Sequence, residues 1–263
     1  MPGPSAAIQQ MSGGGSVGAH SRQTFPSGEI IGGHEAEPHS HPYMAFLQFW
    51  YRGWLRKHCG GFLIRQDFVL TAAHCLGSFM NVTLGAHNIW RAEVTQQFIS
   101  VRRPIPHPDY NPELYTNDIM LLQLERKAKL TPAVQPLRLP RVTGGVTPGM
   151  VCNVAGWGAI TPVGHYPATL QEVMLTVQED EECEFYYPEA YMKATQICVG
   201  DPNLQQTSFY GDSGGPLVCN NVAQGIVSYG MEDGRPPQAY TKVASFLPWI
   251  EETMRSLQLQ EAD

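Results

Sequence analysis

Three short segments carry residue types that together suit nucleophilic cleavage of an acyl bond. Gly211 to Pro216 places Ser213 in a glycine-rich turn whose backbone N–H groups can face a developing oxyanion. His74 follows the apolar run Phe68 to Leu70 and precedes a cysteine, which predicts an imidazole fixed at the end of a buried strand. Asp118 begins another apolar run, where a buried carboxylate needs a hydrogen-bonding partner such as an imidazole N–H.

The order His74, Asp118, Ser213 along the chain resembles that of the chymotrypsin-fold serine proteases. The likeness continues through Ala155-Gly156-Trp157-Gly158 and covers all of the sequence except residues 1–29. Within that family the chain is most similar to the granule-associated group of granzymes, cathepsin G and mast-cell chymases, and among these to granzymes. The phrases that carry this similarity are Pro38 to Ala45, Gly60 to Ile64 and Val222 to Gly230.

The resemblance implies a serine endopeptidase acting on protein or peptide substrates through an acyl-enzyme. His74 would take the hydroxyl proton of Ser213 as the oxygen attacks a carbonyl, and would return it to the leaving amine. Asp118 would hold the imidazole tautomer. The backbone N–H groups of Gly211 and Ser213 would form the oxyanion hole.

The resemblance also implies activation by proteolysis. Gly28-Glu29, directly before Ile30, is similar to the two-residue propeptide of granule proteases, which a dipeptidyl peptidase removes. The new α-ammonium of Ile30 would then pair with Asp212, because an unpaired buried carboxylate is costly. The chain as written is therefore expected to be a zymogen, and serpins are the expected class of inhibitor.

The substrate pocket is implied by the same family pattern. Its expected residues are Thr207 and Ser208 at the base, Ser228, Tyr229 and Gly230 along the wall, Gln238 from the opposite side and Tyr210 at the rim. Trypsin-like relatives carry Asp at the position of Thr207 and aspartate-cleaving granzymes carry Arg at the position of Gln238, so neither a basic nor a strongly acidic preference is expected. We expect Phe, Tyr, Leu or Met at the cleaved position, with Asn or Gln as the alternative, because Gln238 can pair with an amide.

Ten short apolar runs, from Tyr43–Trp50 to Ala239–Val243, alternate with turn residues and predict an all-β sandwich or barrel. The resemblance implies two antiparallel six-stranded barrels with a C-terminal α-helix. Residues 1–29 are interpreted as an atypical leader and propeptide, and residues 30–263 as one protease domain. The first barrel is expected over about 30–138, and the second barrel and helix over about 139–263.

The six cysteines indicate disulfides, although six cysteines permit fifteen pairings. The resemblance implies the pairs Cys59 with Cys75, Cys152 with Cys219, and Cys183 with Cys198. Such bridges and the sequon Asn81-Val82-Thr83, a predicted glycosylation site, call for an oxidising, secretory compartment. We expect storage in a cytolytic granule and an extracellular location after release, although residues 1–29 lack the apolar stretch of a signal peptide.

The charge balance argues against large anionic partners. With 17 basic and 24 acidic residues, the net charge of −7 gives no support for binding to nucleic acid, heparin or anionic membranes. Local groups such as Arg52, Arg56 and Lys57, or Arg102 and Arg103, are interpreted as solvated surface. No run of apolar residues is long enough to span a membrane.

No cofactor or metal is expected. His34, His39, His41 and His58 lack the His-Glu-x-x-His spacing of a zinc protease. The alternative function is a non-catalytic binding or antimicrobial protein on a protease fold. Such proteins usually have a changed serine or histidine, whereas this chain keeps the complete triad.

Overall fold

The computed structural model describes residues 32–141, 145–161, 165–208 and 211–262. Within these ranges the chain forms strands, two α-helices and two short 3-10 turns. The strands are β1 (His34–Glu35), β2 (Met44–Tyr51), β3 (Leu55–Arg65), β4 (Phe68–Thr71), β5 (Ser78–Leu84), β6 (Gln97–Pro106), β7 (Met120–Leu124), β8 (Val151–Gly156), β9 (Gln171–Thr176), β10 (Gln196–Val199), β11 (Pro216–Cys219), β12 (Val222–Tyr229) and β13 (Gln238–Lys242). The helices are α1 (Asp180–Tyr186) and α2 (Leu247–Ala262).

The first half of the chain folds into a closed antiparallel barrel. Its strand order is β2-β3-β4-β7-β6-β5, so each strand is hydrogen-bonded on both sides and the barrel has no free edge. Strands β4 and β7 are apolar along almost their whole length and are completely buried. Strand β5 is exposed at its start and buried at its end, and β6 is mostly half-buried or exposed. Leu47, Phe62, Leu70 and Leu121 fill the interior.

The second half forms a seven-stranded sheet of order β1-β9-β8-β11-β12-β13-β10. Its two ends approach each other, since Val177 beyond β9 bridges Val199 of β10 and Gly200 N–H donates to Thr176 O at 2.9 Å. Six of the strands thus curl toward the second barrel that was expected, and β1 is added outside β9. The predicted all-β class with a C-terminal helix is confirmed.

The segment before β2 fastens the two halves together. Strand β1 pairs with β9 of the second sheet, and Ala36 N–H donates to Leu170 O at 2.9 Å. The chain then enters the first barrel at Met44. The predicted boundary near residue 138 falls in the connector between β7 and β8 and stays a prediction.

Helix α2 returns from the second sheet to the first barrel. Pro248 occupies its first turn, where a missing N–H is harmless. Leu247, Ile250 and Leu257 are buried in the cluster that also contains the first barrel's interior residues. In the described part of the chain, no helix is long and apolar enough to cross a membrane.

Three disulfides are formed: Cys59–Cys75, Cys152–Cys219 and Cys183–Cys198. They are the three pairs that the family resemblance implies. The first joins β3 to the turn after β4, the second joins β8 to the end of β11, and the third ties α1 to β10.

Candidate active site

His74 lies in a 3-10 turn, Ala73–Cys75, directly after β4. The buried strand ends at Thr71, whose hydroxyl donates to Gly60 O at 2.8 Å. The disulfide from Cys75 to Cys59 holds the other side of the turn. The imidazole is thus fixed from both sides, while one fifth of the side chain remains exposed in the cleft.

Asp118 is completely buried just before β7, and its oxygens accept hydrogen bonds from both halves of the molecule. His74 donates twice, from its backbone N–H to Oδ1 at 2.9 Å and from Nδ1 to Oδ2 at 2.7 Å. Ser228 of β12 donates its hydroxyl to Oδ2 at 2.6 Å, and Thr241 of β13 donates to the Asp118 carbonyl at 2.8 Å. These donors pair both carboxylate oxygens of Asp118 and its backbone carbonyl, so burial leaves none of these acceptors without a partner.

The contact between Asp118 and His74 determines which imidazole nitrogen carries the proton. An ionised carboxylate can only accept, so Nδ1 of His74 must donate to it. In the neutral imidazole, Nε2 is then an acceptor. A base of this kind suits removal of a hydroxyl proton in the cleft that His74 shares with Ser213.

The turn around Ser213 depends on close backbone packing. Gly211 has φ of +99°, and a Cβ added there would lie 2.6 Å from Nε2 of His58 and 2.9 Å from Cα of Gly158. Asp212 is buried and accepts from the N–H of Gly158 at 2.9 Å. A Cβ on Gly158 would approach the Asp212 carboxyl carbon to 2.5 Å, which accounts for a glycine after Trp157.

The backbone amides of Gly211 and Ser213 are available to a ligand. In the described ranges, neither N–H donates to another protein group. The carbonyl of Ser213 accepts from the N–H of Gly60 at 2.8 Å, which fixes the peptide orientation. Such preoriented N–H groups can stabilise negative charge that develops on a carbonyl oxygen.

A cavity of about 90 Å³ opens beside Ser213. Five of the pocket residues predicted from the sequence line it, and so do Val227 and Met231. The five are Ser208, Ser228, Tyr229, Gly230 and Gln238. Thr207 is buried behind Ser208, to whose carbonyl it donates at 3.0 Å, and is not among the lining residues.

Gln238 closes the floor of the cavity and is clamped there. Its Nε2 donates to Ser208 O at 2.7 Å, and its Oε1 accepts from the Ser208 hydroxyl at 2.5 Å. The Ser208 hydroxyl also lies 2.6 Å from the Tyr240 hydroxyl. Burial raises the pKa of Tyr240, so this phenol is neutral and the floor carries no charge.

A larger cleft of about 850 Å³ runs past His74 and Ser213 between the two halves. Tyr115, which the sequence analysis missed, lies in this cleft with ring centroids 5.5 Å from His74 and 5.8 Å from Tyr229. Its φ of +54° is unusual for a bulky residue. The available sequence signal was its position three residues before Asp118.

Ile30 and Tyr210 lie outside the described residues, so the predicted partner of Asp212 and the predicted rim residue stay predictions.

Asn81 is exposed on β5, where its amide oxygen accepts from Ser100 at 3.1 Å. Its glycosylation also stays a prediction.

One group of side chains in the described part of the chain is compact enough to hold a metal ion: Cys59, His74 and Cys75. Both of its sulfurs belong to a disulfide. They cannot act as thiolate ligands, so this group does not fit a metal centre.

Comparison with known proteins places the chain in a family. The Trypsin family model matches residues 30–250. Granzyme B of Homo sapiens is 65% identical over 229 residues, which span 87% of this chain and 92% of that protein. Duodenase-1 of Bos taurus is 60% identical over 240 residues, which span 90% of this chain and 94% of that protein.

A solved structure described as "Structure of GrC" has a TM-score of 0.84 at 57% identity, covering 86% of this chain and all of that one. The family and enzyme class predicted from the sequence are thereby confirmed. The chain belongs to the trypsin family of chymotrypsin-fold serine endopeptidases and is a granzyme-like protease.

Proposed function

We propose that this protease cleaves peptide bonds by the acyl-enzyme mechanism, with Ser213 as nucleophile, His74 as general base and then general acid, and Asp118 as the orienting carboxylate. The observation that carries the proposal is the 2.7 Å hydrogen bond from Nδ1 of His74 to the buried Asp118, in the same cleft as Ser213. The backbone N–H groups of Gly211 and Ser213 are proposed to hold the oxyanion.

We further propose that the cavity beside Ser213 receives the side chain before the cleaved bond, and that it takes an uncharged residue of the set Phe, Tyr, Leu and Met. A cavity that holds benzene measures about 150 Å³, whereas this cavity measures about 90 Å³. The smaller volume favours Leu and Met over the aromatic rings of Phe and Tyr. Asn or Gln is the alternative. Gln238 already pairs twice with Ser208, which leaves one N–H and one lone pair of its amide for a substrate.

Activation is proposed to require a free amino group at Ile30, produced by a dipeptidyl peptidase that removes Gly28-Glu29. The ammonium group would pair with Asp212, whose carboxylate is buried next to the nucleophile. Storage in a secretory granule, release to the extracellular space and inhibition by serpins are proposed from the similarity to granzymes.

The test is turnover of a peptide library, varied at the cleaved position, by the chain trimmed to begin at Ile30. Ser213→Ala is the matched inactive variant. Cleavage after Leu or Met that the Ser213→Ala variant lacks is the expected result. Dominant cleavage after Arg or Asp would overturn the pocket proposal, and no cleavage by either protein would favour a binding protein on this fold.

A further inference from the structure

A cluster of exposed aromatic and basic side chains lies at one end of the first barrel. We call it the aromatic-basic tip and define it as the β2–β3 turn, residues 50–57, with Phe79 at the start of β5. Trp54 is 72% exposed and Phe79 is 81% exposed, and Trp50, Tyr51 and Leu55 are also exposed. Lone exposed apolar residues need no explanation, but a group of this size in one place marks an interaction surface.

Strand register shows that these residues belong together. Trp50 is paired with Arg56 across the β2–β3 hairpin and with Ser78 of β5 on its other side. Phe79 follows Ser78 directly, so the hairpin turn and the beginning of β5 occupy the same end of the barrel.

The tip protrudes into solvent. A Cβ added at Gly53 would meet no atom within 4 Å. Arg52 and Phe79 both have left-handed backbone, with φ of +52° and +50°. Bulky residues rarely adopt this conformation, because it costs free energy. Both side chains are exposed, so their burial does not offset that cost.

The charge of the tip is opposite to that of the whole chain. Between Glu37 and Glu93 the sequence has a single acidic residue, Asp67, and Asp67 is paired with Arg65 at 2.6 Å. The tip contributes Arg52, Arg56 and Lys57, none of which forms a salt bridge with a described residue. Arg52 and Lys57 instead lie over the Tyr51 ring, at 5.4 Å and 4.3 Å from its centroid.

Exposed tryptophan rings next to unpaired cations match the chemistry of a bilayer interface. Aromatic rings settle at the level of the headgroups, and Arg and Lys are attracted to anionic lipid. The net charge of −7 does not prevent this, because charges further away than about 10 Å are largely screened at physiological salt.

We propose that the aromatic-basic tip binds the surface of an anionic phospholipid bilayer, with Trp54 and Phe79 inserted among the headgroups and Arg52, Arg56 and Lys57 contacting lipid phosphates and carboxylates. Arg56 and Lys57 also line the cleft that contains Ser213. Bound in this way, the protease would hold one end of its cleft against the membrane and would favour substrates attached to that surface.

The test uses the full chain and vesicles of phosphatidylcholine with 0 or about 30% phosphatidylserine, followed by sedimentation. Binding is expected with the vesicles that contain phosphatidylserine and not with those of phosphatidylcholine only. Trp54→Ala is expected to weaken it about tenfold, because a large aromatic side chain no longer leaves water. Arg56→Gln is expected to weaken it about fivefold, the contribution of one cation near an anionic surface.

Matched controls lie elsewhere on the same barrel. Trp90 is also 72% exposed and is followed by the exposed Arg91. Their loop follows Leu84, which pairs with Ala45 rather than with the tip end of β2, about 20 Å away along the strand. Trp90→Ala and Arg91→Gln are therefore expected to bind like the unchanged chain.

Quenching of tryptophan fluorescence by brominated acyl chains reports insertion separately from adsorption. The unchanged chain is expected to be quenched, and Trp54→Phe is expected to lose most of the quenching. Equal losses in the Trp54 and Trp90 variants would overturn the proposal. So would binding that depends on Arg56 but not on Trp54, since that result describes a simple anion contact. Ser213→Ala is expected to bind normally, so the outcome is independent of the proposed catalysis.

Discussion

Asp118 receives hydrogen bonds from groups on both sides of the cleft, and each group has a distinct role. The two donors of His74 fix the imidazole, whereas the hydroxyl of Ser228 contacts only the carboxylate oxygen that faces Nδ1. Ser228 was predicted to belong to the wall of the substrate pocket, and it lines the cavity beside Ser213. Its hydroxyl is nevertheless directed to Asp118, so we interpret it as a positioning residue for the triad.

Ser228→Ala removes one donor from the buried Asp118 carboxylate. We expect kcat/KM to fall about tenfold, because leaving a buried charged acceptor short of a donor typically costs about 1–3 kcal/mol. The loss should fall on kcat with KM unchanged, because the hydroxyl of Ser228 contacts Asp118. Ser245→Ala, which removes an exposed hydroxyl that contacts the Ala194 carbonyl, is the control and should leave both quantities unchanged. A rise in KM with kcat unchanged in Ser228→Ala would contradict the positioning role.

Gln238→Gly is the residue-scale test of the pocket floor. The change opens the cavity and releases Ser208 from its two contacts with the amide. The ratio of kcat/KM for cleavage after Phe to kcat/KM for cleavage after Leu should rise about tenfold, which is the usual effect of a small change in side-chain fit. The ratio of kcat/KM for matched Phe and Leu peptides measures this and is insensitive to the amount of folded enzyme. A constant ratio would mean that Gln238 does not limit the pocket.

At the scale of elements, the loop after β6 and helix α2 meet through a histidine. The His107 ring packs on Phe246 and Trp249, with centroids 5.3 Å and 5.0 Å away. The N–H of Asp109 donates to Nδ1 of His107 at 3.2 Å, so that nitrogen carries no proton. Desolvation lowers the pKa of His107, and Asp109 only partly opposes this.

The sign of the resulting pH dependence follows from linkage. The unfolded chain binds a proton at His107 near the ordinary pKa of about 6.5, while the folded chain binds it only at lower pH. The contribution of His107 to the free energy of unfolding is therefore fully present above that pH, and it decreases as the pH falls toward the pKa of the folded chain. His58, whose pKa is also lowered by burial, acts in the same direction.

In His107→Gln, Tm should therefore fall less between pH 7 and pH 5 than it does in the unchanged chain. The decrease that remains is the one that His58 contributes. Thermal unfolding at several pH values measures this. Substitution of His165, an exposed histidine in the described residues, provides the comparison. An equal slope in the His107 variant and the unchanged chain would contradict the assignment.

The elements differ in how well the sequence predicted them. Strand β4 coincides with the predicted run Phe68–Thr71, and β11 coincides with the predicted run Pro216–Cys219. Strand β7 begins one residue after the start of its predicted run, Ile119–Leu124. Strand β12 extends beyond its predicted run, Gln224–Ser228, by two residues at the start and one at the end. Strand β5 was missed because its first half, Ser78 to Asn81, is mostly exposed, and β10 was missed although all four of its residues are buried. The proposed triad could be predicted from the sequence because its motifs are local. The contacts from Ser228 and Thr241 to Asp118 could not, because they join residues more than a hundred positions apart.

At the scale of the whole molecule, the proposed active site depends on the fit of the two halves. His74 and Asp118 belong to the first barrel, whereas Ser213 and the strands that hold Asp118 from behind belong to the second sheet. Strand β1 and helix α2 each cross from one half to the other. A change that loosens this interface should therefore reduce activity more than it reduces stability.

Thr241→Val tests this coupling, because it removes the hydrogen bond from β13 to the Asp118 carbonyl while keeping the side-chain shape. A lost buried hydrogen bond costs about 1 kcal/mol, which corresponds to a decrease in Tm of about 2–4 °C for a chain of this size. We expect kcat/KM at 25 °C to fall by more than the unfolded fraction explains, since Asp118 loses its support from the second sheet. Thr195→Val is the control: its buried hydroxyl has no hydrogen-bond partner among the described residues, so the change should leave Tm equal or higher and kcat/KM unaltered. If Thr241→Val lowered Tm but left kcat/KM intact, the triad would be held by the first barrel alone.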